Sequence, residues 1–177
     1  MTGIICLFTK NIVSKAMNKQ QLINKLSLEP HIEGGYFSRT YGSDLTASVP
    51  YDTKPRRLLS SIYYMLTYDN PIGFLHKNKS DIIHYFQGGS PLTYIIITLD
   101  GTLDKKILGA DLDNGQQLQL IIRGGLWKAT ELVAGEFGLV SESVSPGFEY
   151  EDMELAEGSV IKGLFPHLWD QICKYVR

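Results

Sequence analysis

Cysteine is scarce in this sequence: Cys6 and Cys173 are the two present among 177 residues, and no Cys-x-x-Cys pair occurs. A disulfide framework and a thiolate zinc site are therefore not expected, and a reducing compartment is. A cationic surplus is missing too. The 17 Lys and Arg face 19 Asp and Glu, a formal charge of −2, whereas a dedicated nucleic-acid binder carries a clear basic excess. No run approaches the roughly 20 apolar residues of a membrane helix. Internal repeats, low-complexity runs and long linkers are absent, and the length leaves no room for a second core. What remains is 44% hydrophobic and 20% charged, an ordinary composition for a single folded domain. A cytoplasmic protein with neither nucleic acid nor membrane as partner is expected.

The first acid is Glu29. Before it, residues 1–17 carry Ile4, Ile5, Leu7, Phe8, Ile12 and Val13 with Lys10 and Lys15. They are expected to form an extension to a domain spanning 18–177, either a tail or short strand or a weak organelle-targeting segment. Met17 to Leu28 reads as a short helix with Leu22, Ile23 and Leu26 on one face, stopped by Pro30. Leu168, Ile172 and Val176 predict a second helix beginning near Pro166.

The segments between read as β. Residues 58–67, 92–99, 118–122, 127–133 and 137–144 are rich in aliphatic, aromatic and β-branched residues, and Asp100-Gly101, Asp113-Asn114-Gly115, Gly124-Gly125 and Pro146-Gly147 punctuate them. Strands at about ten-residue spacing predict an antiparallel sandwich or barrel, with no helices between strands to build a parallel sheet. Residues 42–56 are the longest loop candidate, and Arg56-Arg57 reads as a solvated pair.

Three segments rise above a generic β domain: His31-Ile32-Glu33-Gly34-Gly35, His76 through Gly89, and Arg123-Gly124-Gly125-Leu126-Trp127-Lys128, followed downstream by Pro146-Gly147-Phe148-Glu149. Together with Ile62-Tyr63-Tyr64, Pro91-Leu92, Leu108-Gly109 and Gln119, in this order, they resemble the cupin-5 group of the cupin superfamily from about Leu22 to Leu155. The resemblance implies an all-β double-stranded β-helix, an RmlC-like jelly roll, with short N- and C-terminal helices, and commonly a homodimer. It implies no settled reaction.

The general cupin metal motif can be laid on the chain. His76 takes the first ligand position, Asn78 the second, Ile82 the glutamate position and Lys128 the distal histidine position. Asn is a poor transition-metal donor, Ile is none and Lys repels a cation, so no cofactor is expected. Alternation along a strand puts Ile82 and His84 on one face. If Ile82 looks inward, His76 and His84 both reach one pocket as catalytic histidines, a base and its partner. The other polar points are Glu33, Asn78, Gln119, Lys128 and Glu149, with Trp127 as core or pocket wall. His31 and His167 fall near helix boundaries, where surface or capping roles are expected. The resulting expectation is a small-molecule-binding cupin, acting as a metal-independent epimerase or isomerase on a carbohydrate-like or carbonyl substrate. Two alternatives stay open: a metal-dependent oxygenase or isomerase with a weakly bound divalent metal at His76 and His84, and a non-catalytic ligand-binding or dimerisation module.

Overall fold

Six consecutive residues, Leu92–Ile97, are buried, and the reason sets the architecture. Alternate side chains of this strand enter two different apolar clusters. Leu92, Tyr94 and Ile96 pack between two sheets, while Ile95 and Ile97 pack outward beneath the C-terminal helices. A strand covered on both faces has no polar side to show.

The computed structural model describes residues 17–177; the expected extension 1–17 lies outside this range except for Met17. In chain order the strands are β1 (Glu29–Pro30), β2 (Tyr36–Gly42), β3 (Thr46–Val49), β4 (Asp52–Arg57), β5 (Ser60–Thr67), β6 (Ile72–Asn78), β7 (Asp81–Gly89), β8 (Leu92–Ile97), β9 (Leu103–Leu108), β10 (Gln119–Ile122), β11 (Trp127–Glu131), β12 (Phe137–Ser145) and β13 (Met153–Leu155). They form a six-stranded sheet in the order β1-β2-β5-β12-β7-β10 and a five-stranded sheet in the order β13-β6-β11-β8-β9, with β3-β4 as a separate hairpin. The pairings of these strands are antiparallel. This is the expected jelly roll, mostly β with short terminal helices. No helix among the described residues is long and apolar enough to cross a membrane.

The first helix, α1 (Lys19–Lys25), begins with a capping box. The Gln21 amide donates to Asn18 Oδ1 at 2.9 Å, and the Asn18 amide donates to Gln21 Oε1 at 3.1 Å, so two orphan donors are satisfied reciprocally. Leu22 and Leu28 then pack on Met65 and Leu139, on the outer side of the six-stranded sheet. At the other end, α2 (Gly158–Leu164), the 3-10 turn Pro166–Leu168 and α3 (Trp169–Ile172) bury Ile161, Leu168 and Ile172 against Leu75, Trp127 and Ala129. The stripe expected from Pro166 onward is broken into 3-10 turns on either side of α3.

Two expectations need correction. Residues 42–56 are not a loop: most of them form the β3-β4 hairpin. Arg56 is not solvated. It is 3% exposed, with its Nε donating to Asp152 Oδ2 at 2.6 Å and its Nη2 to Asp152 Oδ1 at 3.0 Å. Asp52 supplies a second carboxylate, and a guanidinium held by two carboxylates can be buried.

The inward positions show where the core ends and a site begins. They run Ile62, Tyr64, Leu66 along β5; Val144, Glu142, Val140 along β12; and Ile82, His84, Phe86 along β7. The first residue of each series lines a cavity; the last packs in or against the inter-sheet apolar core.

Candidate functional site

The cavity lies between the two sheets. Phe37, Ile62, Ile82, Val144, Phe148 and Tyr150 give it apolar walls, and His31, Glu33, Arg39, His76, Asn78, Lys128 and Glu142 bring polar groups to it. It has about 30 Å³ open to the centres of water-sized spheres, and about 440 Å³ of space unfilled by atoms, part of it open solvent. Its aromatic rim is ordered by contacts between rings. His31 meets Phe37 edge-on at 4.4 Å between centroids, and Phe148 meets Tyr150 edge-on at 5.2 Å.

Glu33 enters from a turn that only glycine can make. Gly34 has φ +90° and Gly35 has φ +69°, and a Cβ on Gly34 would stand 2.1 Å from the Ile72 carbonyl oxygen. Absence of a Cβ thus lets the turn press onto β6. The Tyr64 hydroxyl donates to the Gly34 carbonyl at 3.0 Å, and the Phe74 amide donates to the Glu33 carbonyl at 2.6 Å. A carboxylate is thereby held at the cavity floor with 8% of its residue exposed.

Across from it, His76 on β6 and Lys128 on β11 are register partners. His76 Nδ1 lies 2.6 Å from the Phe74 carbonyl oxygen. A carbonyl only accepts, so Nδ1 carries the proton and Nε2 presents a lone pair. Nε2 is 3.1 Å from Glu33 Oε2, yet it has no aligned hydrogen-bond partner among the described residues. Burial pushes the Glu33 carboxyl up to about 7, opposed by the positive charge of Lys128 and helped by the negative charge of Glu142. Burial, with Lys128 second, drives the His76 imidazole well below its usual range. Below about pH 7 the proton of this pair therefore sits on the carboxyl and not on the imidazole.

A second carboxylate behaves in the opposite way. Burial works against ionisation of Glu142, but His84 and Lys128 override it and hold the group well below the usual carboxylate range. His84 Nδ1 lies 3.1 Å from Glu142 Oε1 and 3.2 Å from the Tyr94 hydroxyl. Burial lowers the His84 imidazole, with Glu142 opposing. His31 is lowered by burial as well, and its Nδ1 accepts from the Glu33 amide at 3.3 Å.

The structure brings together His76, Glu33, Asn78 and Lys128. His84 is on the inner face, as its alternation with Ile82 requires, but it stands behind the cavity wall and reaches the site only through Glu142. The direct pairing of His76 and His84 is therefore replaced by two separate His–Glu pairs. Gln119 is on the exposed face of β10, because Leu120 and Ile122 take the inner one. Trp127 is on the opposite face of β11 from Lys128, packed beneath the terminal helices. Glu149 lies on another surface depression, with Asp52, Pro55 and Arg56. His167 bonds the Gly101 carbonyl at 2.9 Å at the surface.

Glu142, His31, Arg39, Phe37, Phe148 and Tyr150 line the cavity without having been expected there. Glu142 had a legible signal: it falls between Val140 and Val144 on the buried side of an alternating strand. His31 is two residues from Glu33, a spacing that carries both side chains to one side of the turn. Its place near a helix end suggested a capping role instead.

These residues do not fit a transition metal. The four general cupin positions hold His76, Asn78, Ile82 and Lys128, and the ammonium lies on the strand directly paired with His76. Among the described residues, no group of three or more His, Cys, Asp or Glu side chains converges as a metal ion requires.

Residues 20–156 match the family model of the Cupin superfamily (DUF985). The chain is 39% identical over 155 residues to the uncharacterized protein YML079W of Saccharomyces cerevisiae, covering 78% of this chain and 75% of that one. It resembles the solved structure of a hypothetical protein from Leishmania major with a TM-score of 0.85 and 26% identity, over 90% of this chain and 99% of that one. Protein SO0799 from Shewanella oneidensis is similar at a TM-score of 0.83 and 31% identity, over 92% of this chain and 99% of that one.

Proposed function

Since the chain belongs to the Cupin_5 (DUF985) family of the cupin superfamily, whose fold alone implies no reaction, we propose from its own side chains that the cavity binds a small carbonyl compound and moves a proton on the carbon beside the carbonyl, without a metal. The observation that carries this is the Glu33–His76 pair, 3.1 Å apart, whose burial favours the neutral carboxyl and the neutral imidazole.

The chemistry follows from that placement. Removing a proton next to a carbonyl needs a base with a free lone pair and an acid that stabilises the oxygen as charge develops. His76 Nε2 supplies the lone pair, and its imidazolium form is stabilised by the short Nδ1 hydrogen bond to the Phe74 carbonyl. Glu33 supplies the acid, a neutral carboxyl at the edge of its titration near neutral pH. In the forward step His76 takes the carbon-bound proton while Glu33 passes its own to the carbonyl oxygen. The products are an enol, an imidazolium and a carboxylate. Reversal at the other carbon, or on the other face, gives an isomer or an epimer and restores both groups. The Asn78 Oδ1 atom is buried with no partner among the described residues and is available to accept from a substrate hydroxyl.

The test is deuterium incorporation from D2O into hydroxyacetone, dihydroxyacetone and 2-oxobutyrate, followed by proton NMR. The expected result is exchange next to the carbonyl, faster than in buffer, lost in His76→Gln and Glu33→Gln, and declining as pH rises past about 7, where Glu33 ionises. Exchange no faster than in buffer for all three compounds contradicts the proposal, as does exchange that survives His76→Gln.

A further inference from the structure

Lys128 plays no part in that proton transfer, and its surroundings are unusual. The residue is 4% exposed and its side chain lines the cavity. A buried ammonium is costly unless paired. Yet no acid among the described residues lies within 4.0 Å of its Nζ and no hydrogen-bond acceptor reaches it, although both cavity carboxyls are near enough to feel its charge. Glu142 is engaged by His84, and Glu33 holds a proton below about pH 7. Arg39, at the exposed rim, lines the same cavity. With the histidines neutral, the lining charges are Lys128 and Arg39 against Glu142, that is 2 − 1 = +1.

The geometry points to a small organic monocarboxylate as the occupant, its carboxylate paired with the Lys128 ammonium and its short apolar chain lying toward Phe148 and Tyr150. A net charge of +1 calls for one negative charge. A phosphate dianion would leave one negative charge uncompensated beside the Glu142 carboxylate. Because Lys128 and His76 are register partners on adjacent strands, a carboxylate on the first brings the oxo group, and the proton-bearing C3 beyond it, toward the second. This deepens the proton-transfer proposal and rests on it for the carbonyl: the substrate class is a 2-oxo acid with a short side chain branched at C3, where proton removal and return give the epimer, and 2-oxobutyrate is its unbranched probe.

The experiment compares 2-oxobutyrate with its uncharged amide, 2-oxobutyramide, on the full chain carrying 13C-labelled lysine. Binding is read from the Lys128 Cε resonance, assigned by its absence in Lys128→Met. The acid is expected to shift that resonance saturably and to bind at least tenfold more tightly than the amide. Lys128→Arg, which keeps the charge, is expected to retain the preference, read from broadening of the ligand's own signals, and Lys128→Met to abolish it. Equal binding of acid and amide, failure of the acid to bind the wild type, or a preference that survives in Lys128→Met overturns the assignment. The wild-type comparison decides the matter even if Lys128→Met fails to fold. Acid preference without deuterium exchange upholds the carboxylate and removes the proton transfer. Exchange into hydroxyacetone without acid preference does the reverse.

Discussion

The space between the two sheets has two ends built on opposite rules. At one, Leu66, Leu92, Tyr94, Leu108 and Val140 pack with 0% exposure each, and almost every contact is apolar. At the other, a few residues further along the same strands, Glu33, His76, Lys128 and Glu142 are buried nearly as deeply, and His76 Nε2 and Asn78 Oδ1 lack hydrogen-bond partners among the described residues. The first end is what a β sandwich needs in order to fold. The second carries desolvation costs that folding alone does not require. Such costs persist where they serve binding or chemistry, and the difference between the ends locates the site more firmly than any single residue does.

The largest break in the comparison comes from the apolar end. Leu66→Ala removes a fully buried side chain and is expected to cost about 2–5 kcal/mol, measured as a lower urea midpoint with an unchanged slope. A loss under about 1 kcal/mol would mean that this end does not carry the fold.

Next is the pH dependence contributed by Glu33. Its folded-state value is raised from 4.5 to about 7, so the folded protein favours the protonated form. The stability it contributes is full below pH 4.5 and is lost as pH rises to about 7, a change of about 3 kcal/mol. Glu33→Gln cannot ionise. The stability of the variant relative to wild type is therefore expected to climb by that amount between pH 4.5 and 7 and then level off. A flat difference in urea denaturation across that window contradicts the assigned protonation.

Lys128→Met removes a buried charge without a bonded partner. It is expected to raise stability by about 1 kcal/mol while abolishing preference for an acid ligand. A thermal midpoint that falls by several degrees would show the ammonium to be a structural partner instead. Smallest of all, Gln119→Ala on the exposed face of β10 is expected to change stability by less than about 0.5 kcal/mol and to leave 2-oxobutyrate binding untouched. Altered binding would place that face in the site after all.

The sequence made the barrel legible because alternation and turn chemistry are local. Leu120 and Ile122 against Gln119 and Ile121, or Lys128 against Trp127, can be sorted to faces by period two. His76 and Lys128 could be placed together through the motif order. The β3-β4 hairpin escaped because its pattern is polar and holds two prolines, and Arg56 escaped because its partner Asp152 is 96 residues away. The pairing of His84 with Glu142 was hidden for the same reason: it depends on the β7-β12 register, which no local signal carries. Which face of β11 is the cavity side is not legible at Trp127, because both faces are covered and an aromatic suits either.

The chemistry depends on the proton that Glu33 holds beside His76, and the carboxyl carbon of Glu33 reports it directly. In protein labelled with 13C-glutamate at Cδ, the Glu33 resonance, identified by its loss in Glu33→Gln, is expected to titrate with a midpoint at about 7. A midpoint near 4.5, the value of an ordinary exposed glutamate, would put the proton elsewhere and contradict the account.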